Sequence, residues 1–274
     1  MKGKLALLAL LAIGLTWMSL KDSPRCSICI SNVESMFFPP TLSPLPYPAP
    51  PSPEEWRIKS ADDRLANVRS RLLPRLCEEL ENRQLKLGSA AFIRAFKESR
   101  ELELWLRDGA DWTLFRTYPI SALSGGLGPK LAEGDGQTPE GFYAVAAGAL
   151  NPASSYHLAF NIGYPNACDL QQQRTGSLIM IHGSNVSVGC LAMSDPYIEE
   201  IYWIVAEALQ AGQGAVPVHL FPFRMTEERM AAAVGSDHLP FWQNLKPVYD
   251  RFDTQRRVPA VEVVDGRYQI GSDT

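Results

Sequence analysis

The sequence predicts an α+β domain, in which a β-rich core is flanked by helices. Short segments that alternate apolar and polar residues, or that are apolar between turn residues, are typical of strands and fill the middle of the chain. Longer segments with apolar residues three and four positions apart are typical of helices and lie around them. At 274 residues and 46% hydrophobic, the chain is long enough to bury one substantial core.

Residues 1–22 are expected to be a signal peptide or an N-terminal membrane anchor. Lys2 and Lys4 precede an uncharged apolar stretch from Leu5 to Leu20, which is shorter than the roughly 20 residues that span a bilayer. No clear A-x-A cleavage motif follows it, so cleavage and retention both stay open. Either outcome makes the rest of the chain periplasmic, secreted or tethered to the inner membrane, with membrane contact only through this segment.

Residues 23–58 are expected to form a proline-rich linker. Eight of the fifteen residues from Pro39 to Pro53 are proline. A polyproline-type spacer of that length extends about 45 Å at roughly 3.1 Å per residue. Cys26 and Cys29 form C-x-x-C in the linker, for which a local disulfide or chance is expected, because a thioredoxin-like site needs a βαβ setting.

The main domain is expected over residues 59–254, followed by a C-terminal hairpin or tail over residues 255–274. Ser60 and Asp63 resemble a capping box at the start of a helix that Pro74 breaks or kinks before it resumes to about Leu85. Ala91–Lys97 is predicted as a short helix. Further predicted elements, in order, are a strand pair at Leu102–Leu106 and Thr113–Tyr118, a glycine-rich loop at Leu123–Gly136, a Thr138–Gly141 turn, and strands at Phe142–Ala147, Tyr156–Phe160 and Leu178–Ile181.

The last third of the main domain is predicted to be more helical. Ser194 or Asp195 caps a helix that has Pro196 in its first turn and an apolar stripe that includes Ile198 and Val205. The remaining predicted elements are a strand at Val216–Phe221, helices at Thr226–Val234 and Phe241–Phe252, and a hairpin formed by Val258–Val264 and Tyr268–Ile270.

The segment from Ser177 to Met193 carries the candidate chemistry. An apolar run ends at His182, and Cys190 follows eight residues later, directly after Gly189. A thiol beside an imidazole can lose its proton to the ring and attack a carbonyl as a thiolate. Gly189 would leave room for a substrate, and backbone N–H groups around Cys190 would hold the oxyanion. The alternative is a buried structural cysteine and a histidine that only packs. If the pair is catalytic, the thiol pKa is expected to be abnormally low.

Several motifs in one order resemble the YkuD-type L,D-transpeptidase family of bacterial cell-wall enzymes, and within it the YafK-like branch, whose members resemble murein L,D-transpeptidases and peptidoglycan–protein amidases. These motifs are T-Y-P-I at Thr117–Ile120, L-S-G-G-L-G-P-K at Leu123–Lys130, T-P-E-G-F-Y at Thr138–Tyr143, S-S-Y-H-L-A-F-N-I-G-Y-P-N at Ser154–Asn166, R-T-G at Arg174–Gly176, H-G-S-N and S-V-G-C between His182 and Cys190, and F-P-F-R-M at Phe221–Met225. The resemblance implies a β-rich, YkuD-like catalytic core.

The resemblance also implies roles for individual residues. Cys190 would be the nucleophile and His182 the base, with the Gly183 carbonyl or the Ser184 side chain orienting the imidazole. Where the family usually has S-H-G-C, this chain has Val188 in the histidine position. Further implied roles are oxyanion or loop support for Ser187 and Gly189, a replacement imidazole or a structural role for His157, and substrate binding for Thr138, Tyr156 and Arg174, the last with a loop salt bridge as an equal alternative.

The implied function is acyl transfer on peptidoglycan stem peptides at diaminopimelate, through a thioester on Cys190. A hydrolase or amidase that uses water to release a wall-attached lipoprotein or a cross-link is the close alternative. Two other classes stay open: a non-catalytic peptidoglycan-binding module, and a redox protein using Cys26 and Cys29. A net charge of −4 gives no basic surface for nucleic acid. No cofactor and no metal are expected, because the four histidines lack ligand spacing.

Overall fold

A computed structural model describes residues 60–271 of the chain. The predicted signal or anchor, the proline-rich linker and the Cys26–Cys29 pair lie outside the described residues. Within residues 60–271, no helix combines the length and the apolar character needed to cross a membrane.

The described residues form an α+β fold, as the sequence predicts. Its elements in chain order are α1 (Ala61–Asn82), β1 (Ala90–Phe96), β2 (Glu101–Arg107), β3 (Trp112–Pro119), β4 (Gly141–Val145), a 3₁₀ turn (Ala147–Ala149), β5 (Leu150–Asn151), β6 (Ala159–Asn161), α2 (Ala167–Gln171), β7 (Met180–His182), β8 (Leu191–Ala192), α3 (Asp195–Gln210), β9 (Val216–Phe221), α4 (Glu227–Ala231), α5 (Leu239–Gln255), β10 (Val261–Val264) and β11 (Arg267–Ile270).

Two sheets make up the core of the fold. The larger has the strand order β3-β2-β1-β9-β4, in which β1 pairs antiparallel with β2 and parallel with β9. The smaller has the order β5-β6-β7-β8, and its last two strands run parallel. Strands β10 and β11 form the predicted C-terminal hairpin. The smaller sheet is the one that carries the candidate catalytic segment.

Helix α3 joins the two sheets, because it packs against β1 and β9 of the larger sheet and β6 and β7 of the smaller. Its buried stripe includes Ile198, Ile201 and Val205, as the periodicity predicts. Helix α1 packs on α3 and adds its own buried stripe to the same cluster. That stripe consists of Val68, Leu72, Leu76 and Leu80.

A second core of mostly aromatic side chains lies under helix α5. Phe96 of β1 and Phe221 of β9 stack with ring centroids 5.8 Å apart, and Tyr249 of α5 meets the Phe221 ring edge-on at 5.3 Å. Tyr268 of β11 is buried in the same cluster and lies 4.7 Å from the ring of Phe142. The C-terminal hairpin therefore packs directly on the domain.

The helix predicted at Ala91–Lys97 is wrong, because this segment is the central strand β1. Its Ala, Arg and Lys residues suit a helix locally, but the tertiary structure overrides that preference. Arg94 shows how: its side chain is buried, donates to Asp253 Oδ1 at 2.8 Å and lies over the Tyr249 ring at 4.7 Å. Asp253 and Tyr249 are more than 150 residues away from Arg94 in the chain, whereas Glu103 on the neighbouring strand lies 3.7 Å from Nη1.

Two smaller predictions also differ from the structure. Helix α1 runs through Pro74 to Asn82 without the break that was one of the two predicted outcomes, and Pro74 is exposed, so the backbone hydrogen bond that proline removes is on the solvent side. The strand predicted from Tyr156 begins only at Ala159, because His157 has a φ of +69° and the preceding residues form a turn. The Ser60 cap is present, since its side chain accepts from the Asp63 N–H at 3.1 Å.

We predict that α1 is an integral part of the domain, so Leu72→Ala should lower the free energy of unfolding by about 2–5 kcal/mol through the cavity it leaves. Leu72 is fully buried. Val234→Ala is the control, because Val234 is 75% exposed. Urea denaturation measures both, and equal stabilities for the two variants would show that α1 is only an attached spacer.

Candidate active site

Parallel pairing of β7 and β8 places the two candidate catalytic residues on neighbouring strands. Ile181 pairs with Leu191 and His182 pairs with Ala192. Cys190 therefore stands immediately before β8, two positions behind His182 in register. The Met180 N–H donates to Cys190 Sγ at 3.4 Å, so the sulfur is held against β7 itself. The pairing brings together residues that the sequence predicted only from their spacing.

The Cys190 thiol is half-buried and bound by backbone groups. It accepts from Met180 and donates to the Leu178 carbonyl oxygen at 3.7 Å. Burial raises the pKa of this thiol above its ordinary value, although the Met180 N–H and the charge of Lys130 act in the opposite direction. The expected low thiol pKa is therefore wrong for the resting site: the sequence cannot show how far the sulfur is withdrawn from water.

His182 is buried and its ring is oriented by its own turn. Nδ1 lies 2.6 Å from the Gly183 carbonyl oxygen. A carbonyl only accepts, so Nδ1 carries the hydrogen and Nε2 is left as the basic nitrogen of the neutral ring. Burial lowers the pKa of His182, while the Gly183 hydrogen bond and Asp195 raise it. Of the two orienting groups proposed from the sequence, the structure places the Gly183 carbonyl on the ring.

The turn after His182 is fixed on both sides. Gly183 N–H donates to the Leu158 carbonyl oxygen at 3.1 Å, and Ser184 N–H donates to Asp195 Oδ1 at 2.7 Å. A side chain at Gly183 would bring its Cβ to 2.5 Å from that carboxylate oxygen, so glycine is required here. Ser184 serves the site through its backbone, at a φ of +65°.

The backbone around Cys190 is held by three hydroxyl groups. Ser187 Oγ and Thr138 Oγ1 donate to the Cys190 carbonyl oxygen at 2.6 and 3.4 Å. Ser124 Oγ accepts from the Gly189 N–H at 2.6 Å and donates to the Gly136 carbonyl oxygen. Gly189 has a φ of +88°, which favours glycine. The glycine-rich loop and the Thr138 turn therefore support the nucleophile.

No hydrogen bond joins Cys190 to His182 in the part of the chain that the structure describes. The thiol is bound to backbone groups, and the ring nitrogen Nδ1 is bound to Gly183. Catalytic hydrogen bonds are often long in structures without substrate and tighten when it binds. Burial favours the neutral form of both groups, because it raises the pKa of the Cys190 thiol and lowers that of the His182 ring.

The other residues predicted for the site have diverse surroundings. Thr138 is completely buried, so its hydroxyl reaches the nucleophile loop and not solvent. Arg174 donates to Asp169 Oδ1 at 2.8 Å and lies over the Phe241 ring, which is the salt-bridge alternative. Tyr156 is half-exposed and its ring lies 4.9 Å from the His182 ring.

His157 is turned away from the nucleophile. Its Nε2 lies 2.8 Å from Glu199 Oε1, and both side chains are buried at the base of α3. The position of the usual family histidine is taken by Val188, which is 80% exposed. The structure therefore places no second imidazole at Cys190 among the described residues.

Sequence reasoning missed a buried ion pair beneath the site. Lys97 Nζ donates to Glu140 Oε1 at 3.0 Å and also to the carbonyl oxygens of Gly128 and Thr138. The same carboxylate oxygen accepts from the Gly128 N–H, and Glu140 Oε2 accepts from the Trp242 indole N–H. Burial lowers the pKa of Lys97, while Glu140 raises it. In the sequence, only the position of Glu140 inside the Thr138–Gly141 turn could have indicated this ion pair.

No group of three or more His, Cys, Asp or Glu side chains among residues 60–271 is arranged to hold a metal ion. His219 lies between the rings of Phe92 and Phe142, and burial lowers its pKa to about 3.

Comparisons with known proteins agree on one family. Residues 91–219 match the model of the L,D-transpeptidase catalytic domain, YkuD. YafK of Escherichia coli strain K12, named provisionally as an L,D-transpeptidase, is 45% identical over 190 residues, which are 69% of this chain and 77% of that protein.

Two solved structures resemble the fold more distantly. The helical cell shape determining protein Pgp2 of Campylobacter jejuni aligns with a TM-score of 0.40 and 21% identity, over 72% of this chain and 66% of that chain. Bd1075 of Bdellovibrio bacteriovorus aligns with a TM-score of 0.35 and 22% identity, over 61% and 58% of the two chains. Both alignments span less than two thirds of the chains they match.

We predict that alkylation of resting Cys190 has an apparent pKa above the ordinary thiol value of 9.0, because burial disfavours the thiolate. The measurement is the rate of iodoacetamide labelling against pH, followed by mass spectrometry of the Cys190 peptide. In denaturant the same peptide should return to the ordinary value. A midpoint below that value in the folded protein would contradict a neutral resting pair.

We further predict that Lys97→Met lowers the free energy of unfolding by about 3–5 kcal/mol, because it leaves the Glu140 charge buried and unpaired. Adding Glu140→Gln should restore part of the loss. Lys86→Met is the control, since the Lys86–Asp108 pair is exposed and worth at most about 1 kcal/mol. Urea denaturation measures all three, and equal effects of the two lysine substitutions would refute a buried clamp.

Proposed function

The chain belongs to the L,D-transpeptidase family, and on that premise we propose that it is a cysteine-dependent acyl-transfer enzyme of peptidoglycan stem peptides. The observation that carries this proposal is the tautomer of the His182 ring. Its Nδ1–H is committed to the Gly183 carbonyl, so Nε2 is a base on the strand next to Cys190. A binding module would need neither this tautomer nor a thiol in that place.

The first half of the reaction forms a thioester. His182 Nε2 takes the proton of the Cys190 thiol, and Sγ attacks a carbonyl carbon of diaminopimelate. The carbonyl oxygen becomes an oxyanion. When the bond to the leaving amine breaks, that amine takes the proton from the imidazolium at Nε2. The stem peptide remains bound to Sγ as a thioester.

The resting protonation states suit this sequence of steps. Burial favours the neutral forms of both the thiol and the ring, so the charged pair forms only when substrate is bound. A bound substrate displaces water and strengthens the attraction between thiolate and imidazolium. Lys130, whose charge lowers the pKa of the thiol, supports the anion from the glycine-rich loop.

The acceptor decides between two forms of the proposal. An amine acceptor would give a cross-link or attach a protein, whereas water would release a wall-attached lipoprotein or open a cross-link. The exposed Val188 supports the hydrolase as a second candidate, because a polar imidazole that could position an amine is replaced there by an apolar side chain. In either form the protein would work in the periplasm, secreted or tethered by its N-terminal segment.

We predict that Cys190→Ser reduces turnover by about 10³-fold or more, because a serine hydroxyl at this site lacks the acidity and nucleophilicity of the thiol. Full-length protein is incubated with muropeptides, some carrying a lipoprotein-derived lysine on diaminopimelate, and the products are identified by mass. Release of the lysine-bearing fragment supports the hydrolase. New 3–3 linked or lysine-linked products support the transpeptidase.

Cys77→Ser is the matched control and should keep wild-type turnover, since Cys77 lies on α1 away from the nucleophile loop. Absence of every product with the wild-type protein, together with a Cys190 that iodoacetamide does not label, would contradict the enzyme and favour a peptidoglycan-binding module. Unchanged muropeptide turnover in Cys190→Ser would contradict the proposal that Cys190 is the nucleophile.

A further inference from the structure

Helix α1 lies before the residues that match the family domain, yet one of its side chains reaches toward the active site. Arg64 is buried in the first turn of α1. Its Nη1 donates to the carbonyl oxygens of Pro152 at 3.1 Å and Ser154 at 2.8 Å, and also to that of His157. All three acceptors belong to one short turn, which we call the 152–157 turn.

The 152–157 turn carries Tyr156, whose ring lies against the catalytic imidazole. The centroids of the Tyr156 and His182 rings are 4.9 Å apart, with 36° between the ring planes. Tyr156 is 48% exposed while His182 is buried, so the phenol ring lies between the imidazole and solvent. The Tyr156 carbonyl oxygen also lies close to Gly183, where it limits the space beside the orienting carbonyl.

A second connection holds the other end of the same turn. His157 Nε2 lies 2.8 Å from Glu199 Oε1 on α3. Glu199 is fully buried, and both of its carboxylate oxygens also accept hydrogen bonds from Arg71 Nη2, at 2.7 and 2.8 Å. Arg64 and Arg71 are seven residues apart, on the face of α1 that packs on the domain. The helix therefore holds the turn directly and through α3.

We propose that Arg64 is a positioning residue for the catalytic base, which it serves by holding the 152–157 turn so that the Tyr156 ring covers His182. This inference rests on the proposed role of His182. An arginine suits the task because the hydrogens of its Nη1 are shared among the three carbonyl oxygens of the turn, whereas a methionine in its place offers no donor.

The charged groups around His182 determine in which direction loss of Arg64 would shift the pKa of His182. Asp195, at the start of α3, raises the pKa of both His182 and Arg64, while burial lowers both. Glu199 is engaged by His157 and Arg71, and Cys190 is neutral at rest. Removing Arg64 would uncover the ring and take one cation away from Asp195. Both changes move the pKa of His182 upward, toward its ordinary value.

The test is a histidine titration by NMR, with ¹³Cε1-labelled histidine in the full-length chain. The chain has four histidines, and His182→Gln assigns the signal. We expect Arg64→Met to raise the pKa of His182 by about 0.5 or more and to remove the ring-current shift from Tyr156. Arg64→Lys should retain part of both. Arg69→Met, exposed on the same helix, should match the wild type.

The inference fails if Arg64→Met lowers thermal stability but leaves the His182 signal and its pKa unchanged, since Arg64 would then be structural only. Tyr156→Leu provides the same test without altering α1: it should raise the pKa of His182 as Arg64→Met does, and an unchanged pKa would overturn the inference. The titration needs no substrate, so it gives a result even if the muropeptide assay shows no turnover. Failure of the positioning role of Arg64 can therefore be distinguished from failure of the proposed function.

Discussion

The short hydrogen bond between His182 Nδ1 and the Gly183 carbonyl is the interaction on which the rest of the site depends. It fixes the tautomer, and so it decides which nitrogen can accept a proton. It exists only because Gly183 has no side chain and because Asp195 and Leu158 hold the turn from opposite sides. The parallel pairing of β7 with β8 then sets Cys190 beside the strand that ends in this turn.

Buried polar networks surround the site, and their main effect is to fix the positions of loops and not to add stability to the fold. Lys97 and Glu140 hold the glycine-rich loop and the Thr138 turn, and Glu199 joins Arg71 to His157. A buried ion pair often contributes little net stability, because desolvation offsets the attraction. Such pairs do fix the positions of loops that have few apolar contacts of their own. The hydroxyl groups on the Cys190 carbonyl depend on loops held in this way.

The resting site is neutral, and this follows from its depth. Burial raises the pKa of the thiol and lowers that of the imidazole, so each group favours its neutral form. A site of this kind protects its nucleophile from oxidation, since the thiolate is the reactive form. It also makes the reaction depend on substrate to exclude water and to stabilise the ion pair.

The sequence by itself determined the α+β class, the capped α1 and the apolar stripe of α3, because periodicity and capping are local. It also named Cys190 and His182 as a candidate thiol and imidazole from their spacing. Only the tertiary structure decided that Ala91–Lys97 is a central strand and that His157 faces Glu199. It also decided that Arg174 is bound by Asp169 and that Arg64 binds the carbonyl groups of the 152–157 turn. Most of these contacts join residues that are distant in the chain. Asp169 is near Arg174 in the chain, but no pattern of residue types predicts the local fold that brings the two side chains together. The pKa of the Cys190 thiol is raised, whereas the sequence predicted that it is lowered, because burial of the thiol depends on the whole fold.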